Sequence, residues 1–515
     1  MREIEMKTLN TKRWLGLSAL LGSLLVVAGC SLAPTYTKPD VSAPAAFKET
    51  PQETALAPSE QGTWKTAQPS EQALRGEWWT VFDDPTLNDL EHQALDANQN
   101  LKAAAARVKE SRAINQTARA GLFPTLDAGF GPTREKLSPA SQFLPANANV
   151  PSQTLWRAEG SASYEVDLFG RVSDSVKAAN ADTEQSEALF RSVQLALQAD
   201  VAQNYFNLRE LDSESDVFTR TVTLREQALK LVQNRFNEGE ISELDVAQAR
   251  SELATAKSDA MTVQRLRAAS EHSLAVLLGK SASQFSMAAN PLTPVDIKIP
   301  PGLPSSLLER RPDIAAAERA MAAANSRIGV AKSAYFPSLN ITGSGGFESA
   351  TLGDLFNWSS RTFLLGPFAG TALSLPIFDG GRRKGNLANA RAIYEEDVAN
   401  YRQQVLVAFQ EVEDNLSDLR ILQDQTRTQA EAVSASSRAA QLSRSQYTEG
   451  AVNYLDVIDA ERTVLQSQRA AVQLAGVQAT STVNLIRALG GGWGDMPAAP
   501  ATPVASASDA SVASR

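Results

Sequence analysis

Two long stretches of this chain carry apolar residues at helical spacing and contain no helix breaker. From Arg171 to Glu238 and from Asn386 to Glu449 there is neither Gly nor Pro. Within them Val193, Leu197, Val201, Tyr205 and Leu208, and Val405, Phe409, Val412, Leu416 and Leu419, recur every three or four residues. That period gathers them on one face of an α-helix. At about 1.5 Å per residue each unbroken helix reaches on the order of 100 Å. Helices of that length outrun any globular core and must pack side by side in a bundle or coiled coil. Each stretch stops at a glycine, Gly239 or Gly450, the residue that most easily adopts the left-handed turn ending a helix. A helix start follows at once: Ser242 with Asp245 three residues on, and Asn453 with Asp456 three residues on. The returning helices extend to Leu278 and Leu489, so the pattern predicts two helical hairpins with well-marked tips.

Elsewhere the period changes to two. Trp156, Ala158, Gly160, Ala162, Tyr164 and Val166 alternate with Arg157, Glu159, Ser161, Ser163 and Glu165. One apolar and one polar face suit a strand standing between lipid and a watery lumen. Its partner runs from Thr125 to Arg134, across the loop Ser138 to Ser152. Leu339 to Glu348 and Phe363 to Leu375 repeat the pattern less cleanly. A soluble hairpin on a core is the plainer alternative, but such long helices leave it no neighbouring core. Four strands cannot close a barrel, which needs at least about eight, and an open edge in lipid leaves backbone groups unsatisfied. The chain is therefore expected to oligomerise, although the strand count does not choose between dimer, trimer and tetramer.

The two halves are one unit written twice. Arg235 to Arg250 aligns with Gln446 to Glu461 at an offset of 211 residues, which also pairs Arg171 with Arg382 and Gly279 with Gly490. Upstream, Phe123-Pro124-Thr125-Leu126 matches Phe336-Pro337-Ser338-Leu339 at an offset of 213. One long repeat is a duplication; solenoids need several short ones.

Composition narrows the chemistry. The 515 residues carry a net charge of −9 with no basic tract, which argues against nucleic acid. His92 and His272 are the only histidines and Cys30 the only cysteine. No thiol–imidazole pair or His/Cys metal cluster can be assembled from these, and no catalytic residue is nominated. An enzyme is disfavoured. Cys30 instead ends a lipoprotein signal: Arg2, Lys7, Lys12 and Arg13 precede the apolar run Trp14 to Ala28, followed by Gly29 and the cysteine. So short a run does not span as a permanent helix, and cleavage before Cys30 with diacylglycerol and palmitate on that residue is expected. Ser31 follows, without the aspartate that tends to retain lipoproteins at the inner membrane, so the outer membrane is the expected location. No other stretch is long and apolar enough for a transmembrane helix.

These segments together resemble the TolC-like outer-membrane factor family, in its OprM-type lipoprotein branch. The matching pieces are Cys30 to Tyr36, Trp78 to Pro85, the two Phe-Pro-Thr/Ser-Leu motifs, Leu168 to Arg171, Arg311 to Ile314, Ile377 to Arg382 and both tips. They run in order from Cys30 to about Gly492. The resemblance implies an α+β membrane protein, a two-repeat protomer of a trimeric twelve-stranded β-barrel. That barrel continues into a long twelve-helix periplasmic α-barrel, with a mixed equatorial domain. The expected divisions are a signal peptide at 1–29, a lipid-anchored tether and equatorial segment at 30–84, and a first repeat at 85–289. A linker at 290–310, a second repeat at 311–491 and a disordered tail at 492–515 complete the chain. The implied partners are two further copies of the chain, a periplasmic adaptor, an inner-membrane pump of the RND class and outer-membrane lipid. The implied task is passive conduction of drugs and small amphipathic molecules, with no cofactor beyond the lipid on Cys30. A duct for type I protein secretion and a non-conducting coiled-coil lipoprotein are the alternatives; the anchor and the Cys30 to Pro34 segment favour efflux.

The tips differ in one respect that the repeat exposes. Asp245 and Asp456 correspond, and capping accounts for either as readily as a functional role does. Asp459 corresponds to Gln248, and capping does not explain a second carboxylate at i+3 on the same face. Tyr447 likewise replaces Phe236. The resemblance assigns Leu455, Asp456 and Asp459 to a constricted periplasmic aperture, and gives Tyr447 a bond to the other hairpin, with Asp245 as its partner. Some family members carry an arginine two residues after the tip glycine as a latch; here that residue is Val452.

Overall fold

The computed structural model describes residues 31–39, 43–44, 46–49, 77–294, 297, 307–308, 310–365 and 373–491. The signal segment, Cys30 with its expected lipid, most of the tether and the tail 492–515 lie outside the described residues. Among those described, the long elements are α1 (Pro85–Ala97), α2 (Gln99–Ala120), β1 (Thr125–Glu135), β2 (Gln153–Val166), α3 (Arg171–Asn237) and α4 (Glu243–Leu277). The second half supplies α5 (Pro312–Ser333), β3 (Ser338–Ser349), β4 (Arg361–Leu365), β5 (Leu373–Ser374), α6 (Arg382–Thr448) and α7 (Tyr454–Ala488). Both long helices, α3 and α6, have 67 residues, and both returning helices, α4 and α7, have 35.

The chain forms two compact units, to which α2, α3, α5 and α6 each contribute residues. The first draws on 106–187, 316–403 and the N-terminal segment, and holds the sheet. Its strands are antiparallel in the order β1-β2-β3-β4, with β5 also on β3. The fourth expected strand, Phe363 to Leu375, is thus seen as β4 and β5, with 366–372 outside the described residues. Register settles the faces, because directly opposed residues share one. Trp156 lies opposite Pro132 and Ser349, Ala158 opposite Phe130 and Phe347, and Tyr164 opposite Ile341. Leu126, Phe130, Trp156, Tyr164, Ile341, Phe347 and Phe363 therefore line one apolar face, and Asp127, Arg157, Glu159 and Glu348 the other. On the polar face Arg157 pairs with Glu348 at 2.5 Å and with Glu135 at 3.3 Å. Much of the apolar face stands open: Leu126 is 79% exposed, Phe130 65% and Phe363 78%, while the Phe356 ring lies against Phe347 at 5.6 Å.

The segment after Cys30 is not a free tether in residues 31–39. Ser31 Oγ donates to the buried carboxylate of Asp174 at 2.7 Å, Asn325 Nδ2 donates to the Pro34 carbonyl at 2.8 Å, and Lys38 pairs with Glu318 at 3.4 Å. Asp174 sits buried at the start of α3, and Ser31 and Lys177 both donate to one of its carboxylate oxygens.

The second unit is helical. The predicted stripe of α3, Leu197, Val201, Tyr205 and Leu208, is buried against Trp78, Trp79, Leu87 and Leu90 and against Leu274, Val483 and Ile486. Asp84 opens α1 by accepting the Thr86 and Leu87 amides at 2.9 and 3.2 Å, with Pro85 in the first turn. The Arg311-Pro312-Asp313 motif is structural: the buried guanidinium pairs with Asp313 at 2.6 Å and Glu411 at 2.5 Å, and donates to the Ala488 carbonyl.

Glu91 of α1 is fully buried, and neither carboxylate oxygen has a hydrogen-bond partner among the described residues. Burial pushes its pKa up to about 9, so the folded protein holds it neutral. The sign follows from linkage: the neutral acid's contribution is complete below the ordinary value of 4.5 and is lost as pH rises towards about 9. Glu91→Leu should flatten that fall in thermal unfolding and stabilise the protein at pH 8 by roughly 1–3 kcal/mol, the cost of an unpaired buried polar group. An unchanged pH profile would show that Glu91 has a partner after all.

Candidate functional site: the hairpin tips

Both tips are built alike, and both lie in the helical unit. Gly239 and Gly450 each have φ +78°. Around them the Glu240 amide donates to the Arg235 carbonyl at 2.9 Å and the Ala451 amide to the Gln446 carbonyl at 2.8 Å, which ends each helix in the same glycine turn. The next helices start with the Ser242 amide donating to Asp245 at 3.2 Å and the Asn453 amide to Asp456 at 3.1 Å. Asp245 and Asp456 therefore cap their own helices.

Behind the tips is a small apolar core. Val232, Val246 and Ala249 of the first hairpin meet Tyr447, Tyr454, Val457 and Ile458 of the second. Val452 is partly buried against it. Burial and the nearby Glu461 carboxylate push the Tyr454 hydroxyl up to about 12. With Tyr454, Val457 and Ile458 turned inward, Leu455, Asp456 and Asp459 share the exposed face of α7, with Leu455 half-exposed.

The expected Tyr447–Asp245 bond is not made. Tyr447 is buried, its ring 5.3 Å from that of Tyr454, and among the described residues its hydroxyl makes no well-formed hydrogen bond, with the Arg235 guanidinium beside it. Asp245 is held instead by Ser242, both amide and hydroxyl. Tyr447 does meet the first hairpin, but through Arg235, whose guanidinium lies 5.0 Å from its ring centre and donates to the Tyr447 carbonyl at 3.4 Å. A carboxylate committed to its own helix N-terminus is not free to reach across, whereas a long cation can stack on an aromatic face.

The sequence reading also missed the strongest polar ties between the hairpins. Glu252 of α4 is buried and takes Arg225 of α3 on one oxygen at 3.1 Å and the guanidinium of Arg462 from α7 on the other. Farther along, Arg469 of α7 pairs with buried Glu214 of α3 at 2.7 Å. The only signal available was the seven-residue spacing of Arg462 and Arg469. Beside this seam a cavity of about 540 Å³ opens between α3, α6 and α7, lined by Leu224, Ala440, Arg444 and Leu465 among others.

The model of the outer membrane efflux protein family matches residues 90–280 and 303–491. The chain belongs to that family. This outer membrane efflux protein is 34% identical to the toluene efflux pump outer membrane protein TtgF of Pseudomonas putida, across 93% of its own length and 97% of the relative's. Among solved structures it is similar to the outer-membrane channel OprN, with a TM-score of 0.80 at 28% identity, covering 90% of this chain and 100% of that one. It is also similar to the MtrE outer membrane channel of Neisseria gonorrhoeae, solved in its open state, with a TM-score of 0.75 at 30% identity and coverage of 90% and 98%. It is an outer-membrane efflux channel.

The Tyr447 environment gives a direct check on the tip of this efflux protein. Tyr447→Phe should leave stability unchanged or raise it by up to about 1 kcal/mol, because the buried hydroxyl makes no well-formed hydrogen bond among the described residues. Tyr447→Ala should cost about 3 kcal/mol or more through the cavity it leaves. Denaturant unfolding of the detergent-solubilised protein measures both. A Phe variant as damaged as the Ala variant would point to a hydroxyl bond that the single chain does not make.

Proposed function

We propose that three copies of this outer membrane efflux protein form the exit duct of a tripartite efflux system. The observation that carries the reading is the sheet. It has one apolar and one polar face, and among the described residues β1 pairs only with β2 and β4 only with β3. Such a sheet suits lipid on one side and water on the other, provided that its edges are paired by neighbouring copies. With β4 and β5 both seated on β3, each chain offers four strand positions. Three chains then bring twelve, above the eight or so that a closed barrel requires.

In this reading an inner-membrane pump of the RND class delivers cargo through a periplasmic adaptor. Drugs and small amphipathic molecules pass without any chemical step, and the toluene pump to which the relative TtgF belongs supports that cargo class. Cleavage before Cys30 leaves diacylglycerol and palmitate on that residue. The contact of Ser31 with Asp174, one residue after Cys30, supports an anchor held close to the fold. The second hairpin supplies the periplasmic mouth, with Leu455 as its apolar constriction and Asp456 and Asp459 as two rings of carboxylates that attract cations.

Native mass spectrometry of the detergent-extracted protein should give three chains, each lacking residues 1–29 and each heavier by a diacylglycerol and a fatty acyl group. A folded monomer, or a chain of bare polypeptide mass, would sink the assembly or the anchor respectively. In planar bilayers the resting channel should prefer cations and be blocked by a trivalent cation added on the periplasmic side. Asp456→Asn with Asp459→Asn should weaken that block at least about tenfold, the equivalent of about 1.4 kcal/mol, while Asp245→Asn changes it little. Block that survives the double variant but is lost with Asp245→Asn would reverse the inner and outer hairpins.

A further inference from the structure

Three basic residues at one end of the sheet stand on the apolar face, where lipid rather than water is the neighbour. β1 follows α2 and β2 runs into α3, so the helices join the sheet at one end and the loops 136–152 and 350–360 lie at the other. In a duct whose helices reach towards the inner membrane, that loop end meets the outer leaflet. There Arg134 continues the apolar side of β1 after Phe130 and Pro132, Lys136 keeps the alternation, and Arg361 stands opposite Phe347. All three are exposed, and among the described residues no carboxylate pairs with any of them. The nearby acids are engaged elsewhere. Glu135 and Glu348 hold Arg157 on the polar face, and Asp354 accepts from Thr351 at 2.6 Å and Asn357 at 3.0 Å. Arg361 is fixed in place: its guanidinium stacks on the Trp358 ring and its Nε donates to the Trp358 carbonyl at 2.6 Å. Beside it on the same face runs a groove of about 520 Å³ between Leu126 and Phe363, floored by Gly160, Ala162, Gly343 and Gly345.

Within one chain Arg361 belongs to β4, at one edge of the sheet, and Arg134 and Lys136 to β1, at the other. The repeat shows what closing the barrel does to them. β1 corresponds to β3 at the offset of 213, and β4 to β2 as its hairpin partner. The β2–β3 contact inside the chain is therefore the template for β4 of one copy on β1 of the next. Trp156 stands opposite Pro132 in its own hairpin and opposite Ser349 across the repeat. The counterparts of these three residues are Phe363, Gly345 and Lys136, and Phe363 does stand opposite Gly345. Closure thus sets Phe363 opposite Lys136 of the next copy, and by the same steps Leu365 opposite its Arg134. Lys136 then lies diagonal to Arg361 on one face, a separation of about 7–8 Å that long side chains bridge around a single anion.

We infer that each junction between two copies binds one phosphorylated glycolipid of the outer leaflet. Its phosphate is held by Arg361 of one copy and by Lys136 and Arg134 of the next, and an acyl chain occupies the groove beside Phe363. Charge selects this occupant. Cations bordering hydrocarbon without a counter-charge are costly, and an anionic headgroup that carries its own acyl chains satisfies both the cations and the groove. The planar fork of arginine matches phosphate oxygens two at a time. The proposal rests on the reading of the protein as a duct of three copies, because no single chain brings the two edges together.

The test is native mass spectrometry of the detergent-extracted full-length protein with lipid A added, either bis-phosphorylated or stripped of its phosphates. Up to three phosphorylated molecules should bind each trimer. The stripped form should bind at least about tenfold more weakly, since each basic residue near a charged lipid surface contributes about 1 kcal/mol. Arg361→Gln and Lys136→Gln should each weaken the phosphorylated form about fivefold and leave the stripped form unchanged. Equal binding of the two lipids, or of wild type and variants, overturns the proposal. Displacement of the lipid by millimolar inorganic phosphate would reduce the site to one for free anions and overturn it as well. A second measurement addresses the junction itself. Cys30 is the one natural cysteine, and Lys136→Cys combined with Phe363→Cys should give disulfide-linked trimers on oxidation. A trimer that does not cross-link overturns the shared site and leaves the duct reading standing, whereas a protein that is not trimeric removes the duct reading itself.

Discussion

In hydrocarbon an unpaired backbone N–H or C=O has no water to turn to, and the outer edges of β1 and β4 each present a row of them. This requirement comes before any side-chain contact in the protein. It makes a membrane-inserted single chain untenable and makes the closing of edges by further copies the condition for the fold. The apolar face of the sheet follows from the same surroundings. Leu126, Phe130 and Phe363 stand exposed in the chain because lipid, rather than a packed core, is the medium that suits them. The opposite face can keep Arg157 between Glu135 and Glu348 because it looks into water.

In the helical unit the governing consideration is different. Helices with long apolar stripes pack readily, but apolar packing alone is tolerant of register. Buried charge is not. Arg311, held by Asp313, Glu411 and the Ala488 carbonyl, and Glu252, held by two arginines, fit one alignment of their helices and leave unpaired charges in any other. Buried ion pairs contribute little net stability, so their presence here is better understood as specification of alignment.

The duplication shows how a small number of residues separates two similar hairpins. The glycine turns, helix lengths and capping aspartates are shared by both. The second hairpin has Asp459 for Gln248, Tyr447 for Phe236, and Arg462 and Arg469 for Ser251 and Ser258, while the first has Arg235, Glu240 and Glu243 where the second has Gln446, Ala451 and Tyr454.

Features governed by neighbours in the chain are legible in the amino-acid sequence by itself. The hairpin tips at Gly239 and Gly450, the caps at Asp245 and Asp456, and the alternation of Trp156 to Val166 depend on residues within a turn or a strand of one another, where spacing fixes geometry. The sequence likewise determined that four strand positions could not close alone. Tertiary structure decided what depends on which faces of distant helices meet. Tyr447 met Arg235 rather than Asp245 because the aspartate was already committed to its own helix. Glu91 became buried without a partner among the described residues, Ser31 was drawn to Asp174, and Arg462 found Glu252, 210 positions away in the chain. Periodicity identifies the buried face of a helix, but it carries no information on the rotation and axial shift between two helices. Those are set by the packing of whole surfaces, and each of these long-range polar contacts depends on them.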